Sequence, residues 1–170
     1  MLLYLLKNCL LKGVINYNII MDKRKDIEDA IRLYKQEEIW KHMTKKELVD
    51  YLIPCISLNQ YHIFRYETTG VAWGFTNWAF VNDKVQEKFK KTGRLGSFDW
   101  NSGKNVWHID TINNHKGWIN KIYSWTAKHF PTFLNENDYV NWIRVTKDGS
   151  KIKRINRIKV KDGVKKFLNE

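Results

Sequence analysis

Residues 99–110 read Asp-Trp-Asn-Ser-Gly-Lys-Asn-Val-Trp-His-Ile-Asp. A turn of small and polar residues, Asn101 to Asn105, separates two tryptophans and then leads into an alternating segment that ends on a carboxylate. Strand periodicity puts Val106, His108 and Asp110 on one face, with Trp107 and Ile109 on the other. A carboxylate on an otherwise apolar and aromatic strand needs partners or a chemical role, because burying it alone is costly.

The segments around this strand predict an α/β chain. Ile27, Ala30, Ile31 and Tyr34 recur at helical spacing within 24–41, with charges on the opposite face. Thr44-Lys-Lys-Glu47 is a capping box that opens a second helix, and Pro54 predicts its end. His42 falls at the junction between the two. Residues 60–66 and 71–80 read as a hairpin, and 82–92 as a polar helix opened by Asn82 or Asp83 and stopped by Gly93. A helix at 116–129 stops before Pro131. A strand at 139–146, a turn at 147–150, a basic strand at 151–160 and a helix at 162–168 follow. This order predicts a single domain with a mixed central sheet flanked by helices.

The chain's 170 residues are enough for one domain with a real core. Its 30 Lys and Arg against 18 Asp and Glu leave a formal charge of +12, which points to an acidic partner. Cys9 and Cys55 form no CxxC, so neither a zinc site nor a disulfide framework is expected, and a reducing compartment is. Residues 1–20 are apolar but broken by Lys7, Asn8 and Lys12, too short a run to span a bilayer. Three readings stay open for them: an amphipathic anchor, an extra packed helix, or an extension outside the natural protein with Met21 as its start; 21–170 is the functional domain in each.

Most catalytic motifs fail on inspection. Gly96 to Gly103-Lys104 has six residues between the glycines where a P-loop needs four, and Asn105 stands at the Ser/Thr position. GxGxxG, HExxH and GxSxG are absent, and the five histidines lack metal-ligand spacing, so no metal is expected. Acid–base chemistry by a histidine and an aspartate survives. The adjacent pair on one strand face is His108 and Asp110; His42 is the second candidate.

The same residues resemble the signature of the RTX-toxin-activating lysine acyltransferases of the hemolysin-activating type. There a D-W-x-S-G turn leads into a W-x-I-D strand whose last Asp is catalytic. The matching positions are Asp99, Trp100, Ser102, Gly103, Trp107, Ile109 and Asp110. Pro54-x-Ile56 before Asn59-Gln60-Tyr61, Gly74 to Ala79, His129-Phe130-Pro131 and Ile143-Arg144-Val145 are similar to further landmarks, in family order. The family's catalytic histidine precedes the P-x-I element, and His42 is the histidine in that region, two residues nearer Pro54 than the family spacing. Three departures stand out. Ile39 replaces a serine, Tyr51 replaces a functional asparagine, and Asn114-His115-Lys116 replaces Pro-Phe-Gly.

The resemblance implies a GNAT-like fold, a homodimer and a cytoplasmic setting. It implies fatty acyl transfer from acyl–acyl carrier protein to internal lysines of an RTX-type protoxin, with no bound cofactor. Acyl carrier protein is acidic, which suits the +12 charge. On this reading His42 is the general base that deprotonates the lysine and Asp110 orients it, with His108 as the alternative base. Trp100, Ser102, Gly103 and Trp107 shape the site, and Arg144 faces the carrier's phosphate or acidic surface. Two other readings compete. One is a nucleic-acid-binding module built on the basic strand 151–160, although nucleic acid is not the expected partner. The other is a GNAT-like N-acyltransferase with a small-molecule acceptor.

Overall fold

A computed structural model describes residues 23–168, so the 1–20 extension lies outside the described residues. Five strands form one sheet in chain order: β1 (Tyr61–Arg65), β2 (Ala72–Val81), β3 (Asn105–Asn113), β4 (Tyr139–Val145) and β5 (Ile152–Lys159). Neighbours are antiparallel except β3 and β4, which run parallel. The architecture is thus the expected α/β mixed sheet with helices on both faces, compatible with a single GNAT-like domain.

On one face lie α1 (Arg24–Tyr34), α2 (Lys45–Ser57) and α3 (Asp83–Thr92). They bury the main core, in which Ile27, Tyr34, Leu52, Phe75, Phe89 and Trp107 pack together. The other face carries α4 (Ile119–His129) and α5 (Val160–Leu168), which meet through Tyr123 and Phe167. Phe64, Trp78, Phe130 and Val160 are buried beneath them. Among the described residues no helix is long and apolar enough to cross a membrane.

Several local signals act as the sequence predicts. Thr44 Oγ1 accepts the Glu47 N–H at 3.2 Å, and the Glu47 carboxylate accepts the Thr44 N–H at 2.7 Å, closing the capping box. Asn82 caps α3, and Gly93 ends it in the left-handed region at φ 64°.

Two predicted boundaries move. The first helix stops at Tyr34 instead of continuing to 41, and the chain turns so that the Trp40 ring packs 5.2 Å from that of Tyr34. The second helix runs through Pro54 to Ser57. Proline removes only one N–H there, and the buried Leu52, Cys55 and Ile56 on either side hold the helix together.

The 99–103 turn is fastened to the end of β2. Ser102 N–H donates to Phe80 O at 2.8 Å, and Phe80 N–H donates to Trp100 O at 2.9 Å. A Cβ on Gly103 would sit 2.5 Å from the backbone N and Cα of Asn82, so glycine is required here by close approach. Gly103→Ala is expected to cost about 1–3 kcal/mol in denaturant unfolding, because the obstruction is backbone; a cost within 0.5 kcal/mol, the range of ordinary surface changes, would contradict this.

Beneath α4 the rings of His62, Trp125 and His129 stack, with centroids 4.0 and 4.4 Å apart. Burial lowers the pKa of His62 to about 4, so the fold holds it neutral while the unfolded chain protonates it near 6.5. The unfolded state therefore binds more protons between these values, and stability falls as pH drops from about 6.5 towards 4. Thermal melts across that window should show a slope that His62→Phe flattens; equal slopes in the two proteins would exclude this source.

Candidate active site

The carboxylate of Asp110 is the centre of a polar cluster in an apolar core. Tyr51 Oη donates to its Oδ2 at 2.6 Å and Tyr34 Oη donates to the same atom at 2.8 Å. Asn77 Nδ2 approaches Oδ2 at 3.4 Å, and Asn77 Oδ1 accepts the Asp110 N–H at 2.8 Å. Helices α1 and α2 and strand β2 thus each supply one arm. Among the described residues nothing hydrogen-bonds Oδ1.

A β-bulge makes this arrangement. Asp110 pairs with Asn77, and His108 with Trp78, so Ile109 is an extra residue opposite a single step of β2. The alternation breaks there. His108 stays on the α4 face with Val106, while Asp110 crosses to the face of Trp107 and the tyrosines. The expectation that Val106, His108 and Asp110 share one face is therefore corrected.

Burial raises the pKa of Asp110, and the three donors oppose this only in part. Burial, and then the Asp110 charge, push both tyrosine hydroxyls well above their usual range, so they stay protonated and keep donating. Cys55 lies beneath, with Asn77 Nδ2 3.7 Å from its sulfur. Burial pushes its thiol up, which leaves no thiolate to act as a nucleophile.

A cleft of about 1470 Å³ opens over Asp110. It exists because β3 and β4 pair only at Val106–Val140 and Trp107–Asn141, although both strands run on. Residues from both faces line it: Trp40, Tyr51 and Asp110 from one, His108, Tyr123 and Phe130 from the other. The cleft therefore passes between the two parallel strands. Its volume exceeds the roughly 300–1,000 Å³ of small-ligand pockets, which suits a long, partly apolar ligand.

The predicted site residues divide into three groups. Asp110, His108 and Arg144 line the cleft. Trp100, Ser102, Gly103 and Trp107 do not; they support it from behind, with Trp100 packed edge-on against Tyr51 at 6.2 Å and Trp107 Nε1 donating to Gln86 Oε1 at 3.1 Å. His42 is exposed on the turn after α1, outside the cleft lining, and no hydrogen bond joins it to Asp110 among the described residues. Trp40, two residues upstream and at the family spacing from Pro54, faces the cleft with its ring 5.0 Å from that of Tyr51. His108 Nε2 meets the hydroxyls of Thr76 and, at 3.2 Å, Thr111, and burial lowers its pKa to about 4.

Tyr34, Tyr51 and Asn77 were not among the predicted site residues. The available signal was a tyrosine within each buried helix stripe, since a buried phenol needs a hydrogen-bond partner.

Comparison with known proteins places the chain in a family. The sequence model of the RTX toxin acyltransferase family matches residues 21–159. The chain is also similar to a Synechocystis sp. protein named "Uncharacterized protein sll0720". The two are 31% identical over 109 residues, covering 64% of this chain and 71% of that protein. With the family match spanning most of the chain, including the half-buried Asp110 and its strand, the protein belongs to the RTX toxin acyltransferase family.

Proposed function

We propose that the protein transfers a fatty acyl group from acyl–acyl carrier protein to internal lysines of an RTX-type protoxin. One observation carries this reading. A carboxylate with one oxygen saturated by donors and the other free stands at a cleft that opens between two parallel strands. Such a cleft suits an extended thioester arm, and the free Oδ1 suits a lysine ammonium. The family's resemblance adds a homodimer and a cytoplasmic setting to the reading.

The chemistry requires a neutral amine, because a lysine is protonated near neutral pH. The ammonium gives one proton to a base. Its nitrogen then bonds to the thioester carbon, the C–S bond breaks, and the second proton leaves with the thiol. Two histidines were expected to serve as base. His42 is exposed and outside the cleft lining; His108 is in the cleft but across the strand from Asp110. We therefore assign the proton to Asp110 Oδ1, whose raised pKa narrows the gap to the amine. Tyr34, Tyr51 and Asn77 are positioning residues for that carboxylate.

Incubation with palmitoyl–acyl carrier protein and an RTX-type protoxin, followed by mass analysis of acceptor lysines, tests the activity. The expected product is an amide-linked acyl group; no acylated lysine would overturn the reading. Asp110→Asn should lower the rate by about 10²–10⁴-fold with the fold retained. His42→Ala and His108→Ala should each cost less than about tenfold by the same scale. A hundredfold loss in His42→Ala would return the base role to His42.

The ionised carboxylate is the active form, and Tyr51 favours it. Tyr51→Phe should therefore raise the pKa of Asp110 and move the acid limb of the kcat/KM profile up by about one pH unit. An unmoved or lowered limb would contradict the positioning role.

A further inference from the structure

The β4–β5 hairpin concentrates unneutralised positive charge at the cleft mouth. Arg144 and Arg154 are directly opposed across the strands, and both are exposed. Like charges in that register are destabilising unless an anion lies between or over them. The exposed Lys151, Lys153 and Arg157 belong to the same hairpin. Among the described residues none of these five forms an ion pair, although acids neutralise many cations elsewhere, as Asp26 and Asp29 do Arg65. The charge is continuous with the site, because Arg144 and Lys151 also line the cleft. On the opposite face of the hairpin from the arginine pair, Tyr139 is 39% exposed, Val145 42% and Ile155 44%.

From these observations we propose that the β4–β5 hairpin is the docking surface for the acidic carrier protein that delivers the acyl group, with Arg144 and Arg154 as its anchors. The inference rests on the acyl-transfer reading and adds to it the face that the donor uses. Strand alternation sets Arg144 and Arg154 side by side on the α4–α5 face, with Val145 and Ile155 on the other face, so the arginine pair meets the carboxylates of an acidic helix by charge. Two other occupants fit less well. A second copy of this chain would bring the same positive charge. A nucleic acid strand needs free aromatic faces for its bases, and the ring of Tyr139 is already covered by Arg157 at 4.7 Å and Lys159 at 5.8 Å. A carrier seated here would have its prosthetic arm beside the opening between β3 and β4.

The test is the affinity of the full chain for fluorescently labelled holo–acyl carrier protein, measured by anisotropy at two salt concentrations. The variant Arg154→Glu lies away from Asp110 and is compared with the wild type. Its affinity should fall at least tenfold, with a shallower salt dependence. Acyl transfer from a small acyl-pantetheine donor and the thermal melting temperature should be unchanged. Carrier affinity within twofold of wild type would overturn the proposal. So would loss of single-stranded RNA binding in Arg154→Glu while carrier binding is retained. Because binding is read separately, a wild type that binds the carrier through this face but acylates nothing from either donor would contradict the acyl-transfer reading and leave the docking surface supported.

Discussion

Two tyrosine hydroxyls on one oxygen of a half-buried carboxylate tie together three elements that are far apart in sequence. Tyr34 comes from α1, Tyr51 from α2 and Asp110 from the centre of the sheet. Without these donors, holding the half-buried Asp110 carboxylate beneath two core helices would be costly, since a charge removed from water without partners is penalised. With them, the carboxylate remains, one oxygen is held still and the other stays free. The position of both helices over the sheet, and of Trp40 beside them, follows from this arrangement. The aromatic rings of Tyr34, Trp40 and Tyr51 pack at 5.0–6.1 Å, so the hydroxyls cannot turn away without opening the core.

A second constraint is the single extra residue at Ile109. A regular strand would place Asp110 beside His108 under α4; the bulge sends the two to opposite faces. The early parting of β3 from β4 then opens a passage that both faces share. Asp110 lies on one side of this passage and the aromatic wall of Tyr123 and Phe130 on the other. The surface charge follows the same geometry. Ion pairs are formed around α1, whereas among the described residues the arginines of the hairpin at the cleft mouth form no ion pair.

Much of this fold was legible in the sequence, because its signals are local. The Thr44–Glu47 box, the Asn82 cap and Gly93, and the 147–150 turn each act through neighbouring residues, and the elements form in the expected order, with the ends of the first two helices moved. The signature around Asp99–Asp110 pointed to the right strand and the right family. What could not be read was anything decided across the fold. The bulge at Ile109 depends on how β2 pairs with β3, and alternation alone predicted the wrong face for Asp110. The partners of Asp110 were hidden because Tyr34 reads as a core residue and Tyr51 as a departure from a pattern. The spacing before Pro54 also mattered. It left His42 two residues out of place, and the structure puts Trp40 against the tyrosines instead.

The central claim is that Asp110 is a carboxylate whose burial raises its pKa and whose tyrosine donors restrain that rise. A carbon-13 NMR titration of its side-chain carboxyl measures this directly. In the wild type it should titrate above the ordinary aspartate value of about 3.9, and above that again in Tyr34→Phe. A wild-type midpoint at or below the ordinary value, or one unmoved by removal of the Tyr34 hydroxyl, would contradict the account.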